Sequence, residues 1–172
     1  MPRAAAEDAL RACCGSRAWA RRLVAHRPYP DLDALLAAAD EAAYDLAPGS
    51  VTEALAREEL PRLPGAAAYS AAYTALAAAH SAYEDRFGHA FVVCLDEVSA
   101  GEALDHVLSG LRNRLGNDRE EERIVAAEEL RRLARGRIIR LVRDLPLARP
   151  AAQGTARRER RESTDDSPYV PV

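Results

Sequence analysis

Apolar residues recur at helical spacing along most of the first 145 positions. Leu10 and Cys13 share one face of a helix expected from Ala4 to Cys14, and a second helix is expected from Ser16 to Ala25, with Ser16 as its cap after Gly15. HRPYPD then forces a turn, because Pro28 and Pro30 lack amide donors, and Asp31 is placed to cap the next helix. That helix, Leu32 to Leu46, carries Leu32, Leu35, Leu36, Ala39 and Ala43 as one stripe. After APGS, Ser50 with Glu53 three residues on reads as a capping box opening a helix that bears Ala54, Leu55 and Leu60. LPRLPG breaks the chain. An alanine-rich helix is predicted from Ala66 to Phe87, with Gly88 as its left-handed C-terminal residue and Ala90 to Val93 as an apolar run to be buried. Two more helices complete the pattern. Ala100 to Leu115 turns Leu104, Val107, Leu108 and Leu111 inward, and Asp118 to Asp144, capped by Asn117 and Asp118, shows Ile124, Leu130, Leu133, Ile138 and Leu141.

This pattern predicts an all-α fold, a single-domain bundle of six to eight helices over residues 1–145. Residues 146–172 are polar and proline-bearing without periodicity, so a disordered tail is expected there. Composition agrees: of 172 residues 48% are hydrophobic and only 5% aromatic, a balance that suits closely packed helices. The formal charge is −3, with Arg and Asp/Glu interspersed, so neither nucleic acid nor an anionic membrane is expected as a partner. No stretch reaches the ~20 apolar residues of a membrane span, and MPRAAAEDALRACC lacks the apolar centre of a signal peptide. Cys13, Cys14 and Cys94 are odd in number and two are adjacent, which argues against a disulfide framework and for a reducing, cytoplasmic setting. Histidines 26, 80, 89 and 106 are scattered without metal-ligand spacing, and no metal site is expected. Trp19 reads as core and Cys94 as a buried thiol.

Three segments carry a family likeness: ACCGSRAWARRLVAHRPY at 12–29, YEDRFGHAFVVC at 83–94 and LARGRIIRLV at 133–142. Together, from about Ala5 to Val142, they resemble the decarboxylase of uric acid degradation. That enzyme converts 2-oxo-4-hydroxy-4-carboxy-5-ureidoimidazoline (OHCU) to S-allantoin. The resemblance implies a cofactor-independent enzyme, since the substrate supplies its own electron sink. The protein then needs an arginine for the carboxylate and a placed acid or base.

The family's arginine stands near the end of the last helix in a pattern like I-x-x-I-R-L, which places Arg137 as the residue binding a small anionic substrate. The alternative for Arg137 is a helix salt bridge to Glu128 or Glu129; Arg135 and Arg140 read as solvated. The family's acid/base histidine belongs to a motif like H-P-R/P-I-G after an A-L-A helix end. ALAREELPRLPG at 54–65 contains no histidine; counting from ALA puts Glu58 at that position, and matching on the proline puts Leu60 there. Glu58, or Glu59 beside it, is one candidate proton donor, and His80, at the position of the family's asparagine in L-N-x-x-Y, is another. Ser70, with Tyr73 and Thr74, corresponds to the family's S-x-x-E-Q loop, followed by a connection shorter by about a dozen residues. The backbone at Phe91, Val92 and Val93 is expected to line the pocket. His89 is read as packing and capping, and Tyr83, Arg86 and Phe87 as architecture.

Three functions are compatible with these residues. One is the ureide decarboxylase with an altered site, another the same fold refitted to a different small anionic substrate, and the third a non-catalytic helical binding module. The alanine-rich face from Ala66 to Ala82 suits close helix contact within the domain or between two copies, and so allows a homodimer.

Overall fold

The computed structural model describes residues 1–61, 63 and 71–145. Among the described residues it is all-α, with seven helices: α1 (Arg3–Cys13), α2 (Arg17–Ala25), α3 (Leu32–Tyr44), α4 (Pro48–Leu55), α5 (Ala71–Phe87), α6 (Ala103–Arg114) and α7 (Arg119–Asp144). The polar residues at their starts do the capping. The Ser16 hydroxyl accepts the Trp19 N–H at 3.3 Å, and the Asp31 carboxylate accepts that of Ala34 at 2.8 Å. At α7 a full capping box forms: Asp118 accepts the Glu120 and Glu121 amides, and Glu121 accepts that of Asp118. Each such cap is worth about 1 kcal/mol. Gly88 closes α5 at φ +80°, where a side chain would be strained.

Helix α7 packs on α1, α3 and α4, while α5 pairs with α6. Two apolar clusters result. The larger lies among α1, α2, α3, α4 and α7 around Trp19, whose indole N–H donates to the Ala39 carbonyl at 2.9 Å. The smaller gathers Leu76, Tyr83, Phe91, Val93, Val107, Leu108 and Leu111. The run after Gly88 joins them: Phe91 and Val93 enter the smaller cluster and Val92, between them, the larger. That alternation is what an extended backbone imposes. Gly110 on α6 makes room for the Phe91 ring, since a Cβ there would lie 3.0 Å from Phe91 Cζ.

A buried polar network locks this junction. Glu122, 0% exposed, accepts from Arg114 Nε at 2.9 Å, from Asn117 Nδ2 at 2.9 Å and from the Tyr83 hydroxyl. Arg114 also donates to the Val92 carbonyl at 2.6 Å and lies 4.4 Å from the centre of the Phe91 ring. Four parts of the chain therefore meet at one carboxylate.

Several expectations are corrected. Helix α4 begins at Pro48, with Ala47 at the cap and no side-chain bond, because proline at the first turn has no amide to leave unpaired. Ser50 lies inside that turn, and Glu53 serves a different helix by accepting the Arg17 amide at the start of α2. Leu60 is beyond α4 and packs on the smaller cluster. Ile124 is 58% exposed, because the inward positions of α7 run Glu122, Ala126, Leu130, Ala134 and Ile138 at intervals of four. Helix α6 starts at Ala103, and the expected beginning of the alanine-rich helix at 66–70 and the tail at 146–172 lie outside the described residues.

Glu122→Ala strands a buried guanidinium, and a loss of about 3–5 kcal/mol is expected in urea unfolding. Burial, and next the hydrogen bond to Glu122, push the Tyr83 hydroxyl well above the ordinary tyrosine range. The unfolded chain therefore releases this proton first, and stability should fall as pH rises past about 10. Burial of Tyr29 acts in the same direction. Tyr83→Phe should show a shallower alkaline limb than the wild type, measured by unfolding free energy at successive pH values.

Candidate functional site

Gly15 sets the geometry. A Cβ there would meet Arg57 Cδ at 2.8 Å and the Ala54 carbonyl at 3.0 Å, so only glycine lets the α1–α2 turn press on the end of α4. That contact brings the last carbonyls of α1 and residues 57–61 to one face of α7. Between them opens a cleft of about 510 Å³ lined by Arg11, Arg57, Glu58, Glu59 and Arg137, among others.

Arg137 and Glu58 meet there as a two-pronged ion pair, with Nη1 to Oε1 and Nη2 to Oε2 both at 2.7 Å. The Arg137 Nη1 donates also to the Cys13 carbonyl at 3.1 Å, a helix-terminal acceptor that α1 itself leaves unpaired. The Glu58 side chain is 6% exposed and that of Arg137 31%. With both oxygens accepting guanidinium N–H bonds, Glu58 is a carboxylate here, and the bond to it raises the Arg137 pKa further. The helix salt bridge weighed for Arg137 is not formed: Glu128 pairs with Arg131 and Arg132, and Glu129 with Arg132. Arg135 and Arg140, expected to be solvated, are 43% and 45% exposed and reach Asp40 and Asp96.

His80 is placed elsewhere. Its Nε2 accepts the Phe91 N–H at 3.3 Å and its Nδ1 lies 3.7 Å from Glu84, so the ring carries its proton on Nδ1. It is not among the residues lining the Arg137 cleft. Phe91, Val92 and Val93 are 0%, 1% and 7% exposed. The Phe91 amide is engaged by His80 and the Val92 carbonyl by Arg114. Ser70 lies outside the described residues; Tyr73 and Thr74 sit in the first turn of α5. His89 packs edge-on against Tyr83 with centroids 5.5 Å apart.

Burial raises all three thiols, that of Cys14 to about 11, so none is a thiolate at neutral pH. Among the described residues no three of His, Cys, Asp and Glu gather to hold a metal ion, and no helix is long and apolar enough to cross a membrane. What the cleft can do is bind an anion beside a carboxylate. A guanidinium fork matches a carboxylate, and a second carboxylate stands within reach to take or give a proton.

Sequence reasoning did not find Arg11, Arg57, Arg114 or Glu122. For the last two a signal existed. Arg114 follows the inward Leu111 by three positions and Glu122 precedes the inward Ala126 by four, so both fall on apolar faces where a lone charge would be costly.

The family model described as OHCU decarboxylase matches residues 1–72 and 62–139. No curated protein matches the chain in sequence. Among solved structures, one of OHCU decarboxylase in the presence of (S)-allantoin is similar at TM-score 0.66 and 22% identity, covering 80% of this chain and 99% of the other. One of (S)-allantoin synthase is similar at TM-score 0.62 and 19% identity, covering 81% of this chain and 50% of the other.

Arg137→Ala should cost about 2 kcal/mol, because it leaves a nearly buried carboxylate unpaired. Replacing both partners, Arg137→Met with Glu58→Met, should recover most of that loss in the same urea titration.

Proposed function

Because the chain belongs to the OHCU decarboxylase family, we propose that it is a decarboxylase of a small anionic ureide, forming S-allantoin from OHCU with Glu58 in place of the family's acid/base histidine. The observation that carries this reading is the Arg137–Glu58 fork inside a polar cleft. In the free protein Glu58 occupies the guanidinium that a substrate carboxylate would use.

The reaction then proceeds from competition for one arginine. An incoming carboxylate takes the Arg137 fork and displaces Glu58. Two carboxylates side by side in a shielded cleft favour a proton on one of them, and Glu58 takes it up from solvent. The C–C bond to the carboxylate breaks, CO₂ leaves, and the electron pair passes into the conjugated C=N of the substrate ring. Glu58 delivers its proton to the neighbouring ureido-bearing carbon, while the hydroxyl proton moves to the ring nitrogen and the carbon that lost CO₂ becomes the ring carbonyl. The product has no carboxylate, so Glu58 returns to Arg137 and the cleft is reset. Each turn consumes one proton and needs no cofactor. His80, with Nε2 engaged by the Phe91 amide, serves this reading as a support for the 90–93 segment.

The test generates OHCU from urate with uricase and hydroxyisourate hydrolase and follows S-allantoin by circular dichroism. The protein is expected to accelerate formation of the S enantiomer above the spontaneous rate. Glu58→Gln should lower kcat by roughly 10²–10³, the loss of a general acid, and Glu58→His should restore part of it. Arg137→Lys, which keeps the charge but not the fork, should raise KM. A trace that matches the spontaneous reaction would overturn the assignment.

A further inference from the structure

The cleft at Arg137 holds a second cation whose bonding is incomplete. Arg11, in the last turn of α1, lines it together with Arg57 and Arg137. Its Nε is buried without a hydrogen-bond partner among the described residues. Buried donors are almost always paired, and an unpaired one carries a free-energy penalty that a ligand can relieve. Glu59 lines the same cleft but is not bonded to the Arg11 Nε, and two further acids are engaged elsewhere. Glu7, one helical turn earlier and the natural partner at i−4, accepts from Arg21 at 3.2 Å, and both oxygens of Glu58 face Arg137.

We infer that Arg11 is a second anion-binding residue of this cleft, turning its guanidinium toward a second negatively charged oxygen of the ligand while Arg137 holds the carboxylate. The ligand class is accordingly a compact acid with two oxygen-bearing ends, one of them a carboxylate. This rests on the decarboxylase reading for its catalytic meaning. As the C–C bond breaks, the electron pair moves onto the ring, and a guanidinium beside that end favours the charge where it develops. Arg11 moves no proton in this step. Its stem stays packed on α1 and only the charged head swings, as long cationic side chains do.

Binding to the full chain is measured with malonate, which carries two carboxylates, and with acetate, which carries one, at matched ionic strength by calorimetry and thermal shift. The wild type should bind malonate more tightly than acetate by about tenfold or more, the worth of one charge-assisted hydrogen bond. Arg11→Met should lose that preference and, with no ligand, melt no lower than the wild type, because methionine keeps the apolar stem and deletes the unpaired donor. Arg11→Gln, which retains a neutral donor, should keep a fraction of the preference and provides a second folded variant. Equal affinities for malonate and acetate in the wild type would overturn the inference. So would Arg11 variants that melt lower and bind malonate as the wild type does. Malonate is not turned over, so this result stands apart from whether S-allantoin is formed.

Discussion

Everything near the centre of this molecule depends on one carboxylate with no access to water. Glu122 is held by Arg114, Tyr83 and Asn117, which come from α6, α5 and the turn before α7. In a low-dielectric interior such a group is tolerated only when its partners are in place, and removing any of them is costly out of proportion to a single bond. The fold is thereby made specific at a point where apolar contacts alone would leave the angle between α5, α6 and α7 loosely determined. Arg114 extends the effect by gripping the Val92 carbonyl, which fixes the extended segment whose side chains alternate between the two apolar clusters.

The Arg137–Glu58 pair is built differently. It is tied to the Cys13 carbonyl on one side and open to the cleft on the other, with the guanidinium about a third exposed. A pair in that position can be broken by a ligand that supplies an equivalent carboxylate, whereas the pair at Glu122 cannot be reached. The first buried network holds the scaffold, and the second, at the edge of the same long helix, is available for exchange. Helix α7 contributes to both, carrying Glu122 in its first turn and Arg137 near its end.

A helical fold and most of its elements were legible from spacing. The stripes on α1, α3 and α6, the caps at Ser16, Asp31 and Asp118, and the left-handed Gly88 all arise from local rules that act within four residues. Where local rules competed, the reading slipped. Ser50 and Glu53 had the letters of a capping box, yet Pro48 opened the helix first and Glu53 was drawn to the amide of Arg17 on another helix. Ile124 had the right spacing from neither Glu122 nor Ala126, and only the position of α7 against α1, α3 and α4 says which side faces water.

Arg137 and Glu58 were each singled out by their place in a motif, but the bond between them was not, because they lie 79 residues apart along the chain. The same holds for His80 and Phe91, and for Arg114 and Val92, pairs joined only once helices have packed. By itself the sequence determined the periodicities, the turns and the family likeness, since each is written in neighbouring residues. Which charges neutralise one another, and which are left to meet a ligand, was decided by tertiary structure alone. Electrostatic pairing depends on distance in space, and distance in space between remote residues exists only after the core has formed.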